Sequence, residues 1–290
     1  MHQAKHRDLY ALHCAVMLFG GAGLFTRFID GGAWAIVSGR TLFAAIALLA
    51  YAVIAKRSLR IARADYVAFV CCGLLLSGHW WSFFHAIDMS SVALGVLGFA
   101  VFPVFVMLLE PLVTRERATR RDVVLMAVIL FGLLLVVPEY RLKNAGTLGV
   151  LWGVASALLF ALLLLMNRRL NKYAAANLSF WQNAIAALVL APLGWPVLAH
   201  SSGHDWIAII LLGCIFTALA HALFITSLRS IAATKAAMIV ALEPVYGIAF
   251  AGMLFAEWPG ARTLIGGAIL LLASGVASMP KAALTHAKRP

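Results

Sequence analysis

Short basic clusters cut this chain into ten apolar runs, each long enough to cross a lipid bilayer as a helix. A crossing helix needs about 20 mainly apolar residues. Read from one charged or turn-rich break to the next, the candidates are 9–29, 33–55, 65–87, 91–112, 121–138, 146–167, 175–199, 206–228, 234–255 and 261–279. The breaks are short, with a very tight turn at Asp88–Ser90. That pattern leaves no room for a soluble domain or a long linker.

Composition agrees with the runs. Of 290 residues, 63% are hydrophobic and 12% charged, where a soluble domain carries about 25% charged residues. The net charge of +12 raises nucleic acid as a partner. The charges lie in short clusters between apolar runs, so the expected partner is the lipid bilayer and not nucleic acid. Cys14, Cys71, Cys72 and Cys214 all lie inside apolar runs and read neither as a disulfide framework nor as a zinc site. Residues 1–8 are polar, and no small-residue cleavage site follows the first run. That run therefore reads as a retained helix.

Lysine and arginine orient the runs, because cytoplasmic loops are enriched in them. Eighteen of the 23 basic residues fall on one side: the N-terminus, the loops around Lys56, Arg115, Arg168 and Arg229, and the tail. The opposite side holds four, Arg27, Arg141, Lys143 and Arg262, and Arg40 lies within a run. A wrong number of spans would scramble this asymmetry. It implies an inner (plasma) membrane protein with both termini cytoplasmic. Trp34, Trp195, Trp206 and Trp258 lie near the poorly basic loops, where indole rings anchor helices at headgroup level.

An internal echo then sets the architecture. Pro103, Glu116 and Arg121 recur 141 residues later as Pro244, Glu257 and Arg262, and Phe83 recurs as Phe224. An echo at half the chain length indicates a duplicated unit. Ten spans divide into five and five, residues 1–143 and 144–290. With an odd number per unit, each half enters the membrane from the opposite side. The expected fold is all-α and integral to the membrane, with ten transmembrane helices as two inverted five-helix repeats. This is a recurring design of secondary transporters, with substrate near the midplane.

The stretch LRSIAATKAAMIVALEPVYGIAFAGMLFAEWPGARTLIGGAILLLASGV resembles the second repeat of EamA-type drug/metabolite transporters. It has small residues after a tight turn, Glu243-Pro244 inside the ninth span, Glu257 at its end and a Gly-rich tenth span. Arg40 stands in the second span, where that family commonly has an arginine. Within the superfamily the chain is similar to YddG-type exporters of aromatic amino acids. The resemblance implies a ten-helix bundle exporting small metabolites by alternating access, its substrate most plainly an aromatic or other neutral amino acid. Other metabolites or drugs are the alternative within the same superfamily.

Several residues stand out as candidates for the substrate site. His79 in span three and His221 in span eight occupy near-equivalent positions in the two halves. At 1.5 Å per residue they lie about 12 and 10 Å from opposite ends of their spans, and so straddle the midplane. Intramembrane ionisable residues tend to face the bundle interior. His79 and Phe83 share a helix face, and Phe99 and Phe102 follow on span four. Together they suggest an aromatic-walled cavity for an apolar or aromatic small molecule. Span seven carries the polar patch Trp181-Gln182-Asn183. Asn183 corresponds roughly to Arg40, and either reads as a substrate ligand or as an interhelical tie. Glu243 is an acid deep in a span. Pro103 and Pro244 are matched hinge candidates.

Competing readings have less behind them. An intramembrane enzyme would need a nucleophile–base pair or a metal cluster, and neither HExxH nor GxSxG is present. A channel would show a polar stripe along several helices or a filter loop. No Walker-type loop, cofactor motif or metal-ligand spacing is present, so neither ATP, a cofactor nor a catalytic residue is expected. The sequence fits a monomer or a homodimer equally.

Overall fold

The computed structural model describes residues 2–114, 119–227, 239–240 and 242–277. Among the described residues, all regular secondary structure is helical. The helices are α1 (His2–Ala22), α2 (Gly32–Ile54), α3 (Tyr66–Met89), α4 (Val92–Phe99), α5 (Phe102–Thr114), α6 (Arg120–Val136), α7 (Ala145–Arg169), α8 (Ala175–Leu198), α9 (Gly203–Gly213), α10 (Ala220–Ser227), α11 (Glu243–Phe255) and α12 (Ala261–Ala277). A π-helical segment, Cys214–Leu219, joins α9 to α10 in one continuous rod.

Among the described residues, seven stretches are long and apolar enough to cross a membrane: Asp8–Arg27, Gly32–Ile54, Arg63–Met89, Val92–Leu109, Ala145–Asn167, Ala175–Leu198 and Gly203–Phe224. The sequence suggests ten. At the other three positions the described helices are shorter, and residues 234–238, 241, 278 and 279 of the last two expected spans lie outside the described residues. Helix α6 has 17 residues and opens on Arg120, Arg121 and Asp122, while Glu243–Phe255 and Ala261–Val276 are apolar helices of less than spanning length. The echoed Glu116 and the basic residues Arg229 and Lys235 lie outside the described residues.

Helix starts are fixed locally. Ser91 Oγ accepts from the Leu94 amide and Asn144 Oδ1 from the Thr147 amide. Thr119 with Asp122, and Ser202 with Asp205, form capping boxes. Each device satisfies amides that the first turn leaves without a helical partner. Both candidate hinge prolines also sit at helix starts. Pro103 is the second residue of α5, following a break at Ala100–Val101, and Pro244 is the second residue of α11. A proline fits there because a first-turn amide has no helical acceptor to lose. The Ala100 carbonyl at the break instead receives Ser274 Oγ of α12 at 3.5 Å.

Helix contacts recur in pairs. Helix α3 packs on α7 as α10 packs on α1; α4 packs on α7 as α11 packs on α1; α2 pairs with α8, and α6 with α12. Glycine makes two of these crossings possible. A Cβ at Gly98 would lie 2.6 Å from the Val150 carbonyl, and one at Gly20 would lie 2.7 Å from Tyr246 Cβ and 2.8 Å from the Glu243 carbonyl. Backbones touch at both points, and any side chain would separate them.

Polar ties close the two ends. At the end with the more basic loops, Lys172 pairs with Asp65 at 2.7 Å and the Tyr173 hydroxyl donates to Asp65 at 2.5 Å. The bond to Asp65 holds the Lys172 ammonium above its ordinary range. At the other end Arg27 pairs with Glu257 at 2.6 Å, beside the Phe28–Phe255 ring contact.

Candidate functional site

A cavity of about 810 Å³, counted to its open mouth, is lined by residues of α1–α4, α7, α8, α10 and α11. Helix periodicity builds its walls. Helix α3 contributes Leu76, His79, Trp80 and Phe83, and α7 contributes Phe160, Leu163, Leu164 and Asn167. Residues three and four apart share a helix face, so each set forms one stripe. The remaining wall comes from Phe19 and Ala22 of α1, Arg40 of α2, Phe99 of α4, Gln182 of α8, His221 and Phe224 of α10, Val240, and Glu243 of α11.

The apolar part is a nest of rings. His79 lies 5.3 Å from Phe99 and 5.0 Å from Phe160, centroid to centroid. Phe83 meets Phe99 edge-on at 5.5 Å. His221 sits between Phe19 at 5.3 Å and Trp80 at 5.2 Å, with both contacts edge to face. Edge-to-face and offset pairs are favourable arrangements for such quadrupoles.

The imidazole of His79 is held in one tautomer. The Ser156 hydroxyl donates its proton to the His79 carbonyl at 2.9 Å. His79 Nδ1 lies 2.7 Å from that hydroxyl oxygen and 3.2 Å from the Ser156 carbonyl. With the serine proton committed, Nδ1 must carry the hydrogen and donate. Nε2 is then the acceptor, without a hydrogen-bond partner among the described residues.

Two charged side chains complete the wall. Arg40 is 3% exposed. Its Nε donates to Thr217 Oγ1 at 3.0 Å and its guanidinium lies 3.9 Å over the Trp80 ring, a cation–π contact. Thr217 stands in the π-helical segment and donates in turn to the Leu212 carbonyl at 2.8 Å. The extra residue of a π turn is often found at functional sites, and here it aims the hydroxyl that holds the arginine. Glu243, 8% exposed, lies on the same cavity. A smaller polar corner consists of Gln182, whose Nε2 donates to Asn167 Oδ1 at 2.6 Å.

Of the residues singled out from sequence, His79, Phe83, Phe99, His221 and Glu243 line the cavity. Phe102 stands behind it, stacked on Phe99 at 5.6 Å and edge-on to Phe160 at 5.5 Å. Trp181 and Asn183 are not among the lining residues. Trp181 Nε1 donates to the Leu59 carbonyl at 2.8 Å, and Asn183 Nδ2 donates to the Ser179 carbonyl at 2.8 Å. The residue between them, Gln182, faces the cavity instead. Phe160 and Asn167 are lining residues that the sequence did not single out, while Arg40, read as a substrate ligand or an interhelical tie, also lines the cavity. No group of three or more histidines, cysteines or acidic residues able to hold a metal occurs among the described residues.

Comparison with known proteins points the same way. The model of the EamA-like transporter family matches residues 8–137 and again 147–279. An uncharacterized transporter, YxxF, of Bacillus subtilis (strain 168) is 24% identical over 241 residues, covering 81% of this chain and 77% of the relative. An uncharacterized transporter of Archaeoglobus fulgidus is 23% identical over 262 residues, covering 90% and 92%. A solved structure described as "Crystal structure of protein" shares the fold with a TM-score of 0.67 at 17% identity, covering 98% of this chain and 99% of that one. With nearly its whole length matched in two successive segments, the chain belongs to the EamA-like transporter family.

Proposed function

We propose that this transporter exports small neutral metabolites, amino acids foremost, by alternating access between two inverted five-helix halves, residues 1–143 and 144–290. The observation that carries the reading is the cavity. Its aromatic wall suits an apolar or aromatic side chain, while buried groups of both charge signs suit a polar head. Both halves contribute to it, as midplane sites at repeat interfaces do. The paired helix contacts and the two successive family matches support the repeat. The similarity to YddG-type exporters favours aromatic amino acids among the neutral ones.

Loop charge bears on orientation. The basic loops support cytoplasmic termini in an inner membrane. The cavity reaches Asn167, Gln182 and Phe224 toward the basic end, while the Arg27–Glu257 pair and the Gly20–Gly247 crossing close the other. That arrangement supports loading from the cytoplasmic side.

Cells expressing the protein, compared with cells carrying an empty vector, test the assignment through the amino acids they release. Faster release of phenylalanine, tyrosine, tryptophan or leucine is expected. Unchanged release across all twenty amino acids, with the protein present in the membrane, would remove amino acids as substrates.

A further inference from the structure

Arg40 and Glu243 are buried, opposite in charge and on the wall of one cavity, yet they are not paired with each other. No ion pair within 4.0 Å joins them among the described residues. Thr217 takes only Nε of the guanidinium, and Trp80 covers one face. The two terminal nitrogens have no protein acceptor among the described residues, and the Glu243 carboxylate has no protein donor there. Leaving a buried charge without a partner is costly. A protein that wanted the two charges only for stability would bring them into contact.

We propose that Arg40 and Glu243 are the two jaws of a clamp for a zwitterion. The free edge of the guanidinium takes the ligand's carboxylate in a bidentate pair, and the Glu243 carboxylate takes its ammonium group. The ligand's side chain then lies against Phe83, Phe99 and Phe160, with His79 Nε2 as an acceptor at the rim. The aromatic nest sets which side chain fits, and the clamp sets that both head charges must be present. Thr217 is the positioning residue, because it holds the arginine by Nε and leaves the outer nitrogens free. This assignment rests on the amino-acid reading above and adds the residues that select the head group.

The test is binding to the purified full-length chain, measured by isothermal titration calorimetry with three probes. L-phenylalanine carries both charges, 2-phenylethylamine lacks the carboxylate and 3-phenylpropionate lacks the ammonium. The wild type is expected to bind phenylalanine about 10- to 100-fold more tightly than either analogue, the factor that charged hydrogen bonds supply. Arg40→Gln should abolish the preference over phenylethylamine while keeping that over phenylpropionate, and Glu243→Gln should do the reverse. Arg40→Lys and Glu243→Asp, which keep the charges, should retain both preferences in weaker form. The wild-type series alone decides the matter where a variant does not fold. Equal binding of all three probes by the wild type, or variants that weaken all three alike, would overturn the clamp and leave amino-acid transport standing. Failure of the folded wild type to bind any of the twenty amino acids would overturn both.

Discussion

Arg121 and Arg262, 141 residues apart in sequence, each cap the helix that the other begins. Arg121, at the start of α6, donates to the Val276 carbonyl near the end of α12 at 2.5 Å. Arg262, at the start of α12, donates to the Leu134 and Pro138 carbonyls around the end of α6 at 3.4 and 3.3 Å. The two helices therefore run antiparallel, and each exchanges a terminal arginine with its partner. A cation at a helix C-terminus neutralises the carbonyls left without amides.

This exchange predicts matched costs. Arg121→Ala and Arg262→Ala should each lower stability by about 0.3–2 kcal/mol. Because they act at opposite ends of the helix pair, the double variant should show their sum to within about 0.5 kcal/mol. Thermal unfolding of the detergent-solubilised protein checks both points. A double variant no less stable than the singles would show that the two caps are not independent.

Ser156 controls His79. Ser156→Ala removes both the donor to the His79 carbonyl and the hydroxyl acceptor for Nδ1, leaving Nδ1 only the backbone carbonyl at 3.2 Å. Interhelical polar contacts of this kind are worth about 0.6–2 kcal/mol, so substrate affinity should fall about 3- to 30-fold. Direct titration of phenylalanine reads the change. Unaltered affinity in both Ser156→Ala and His79→Ala would exclude the imidazole from the site.

Gly20 fixes the closest approach of α1 and α11. Gly20→Val would push a side chain into the Glu243 carbonyl and Tyr246 Cβ, and overpacking typically costs about 1–3 kcal/mol. The same substitution would shift the backbone that carries Glu243, so loss of transport should accompany loss of stability. A fully active Gly20→Val protein would contradict the close crossing.

The Arg27–Glu257 pair is half-exposed, so breaking it with Glu257→Gln should change stability by less than about 1 kcal/mol. Its expected effect is on access. With the four native cysteines replaced and Phe19→Cys placed in the cavity, a membrane-impermeant thiol reagent added outside should label Glu257→Gln faster than the parent. High salt should have a similar effect by screening the pair. Labelling at the parent rate would mean that the pair does not restrain opening.

Much of this arrangement was legible in the sequence, for reasons of periodicity and scarcity. Prolines and charged residues as a whole are scarce in this chain, so the recurrence of Pro103 and Arg121 as Pro244 and Arg262 stood out. The structure gives each recurring pair a shared physical role, at helix starts and at helix ends. His79, Phe83, Phe99, His221 and Glu243 were visible because ionisable or clustered aromatic residues are unusual at mid-span. Phe160 and Asn167 were not, because an apolar helix surrounded by apolar neighbours gives no sign of which stripe faces inward. The polar patch of α8 shows the same difficulty at single-residue resolution. Successive residues on a helix point about 100° apart, so Gln182 reaches the cavity while Trp181 and Asn183 bind backbone carbonyls elsewhere. The π turn at Cys214–Leu219 left no mark in the sequence, and without it the role of Thr217 in holding Arg40 could not be seen. Seven of the ten expected spans are long and apolar enough to cross among the described residues, and charges open α6.

Counterflow in proteoliposomes tests alternating access most directly. Vesicles holding the purified protein and loaded with unlabelled phenylalanine are diluted into a trace of labelled phenylalanine. A carrier that exposes its site to one side at a time will accumulate label transiently above equilibrium, and the account predicts that overshoot. Label that rises only to equilibrium, at a rate indifferent to the internal load, would contradict it.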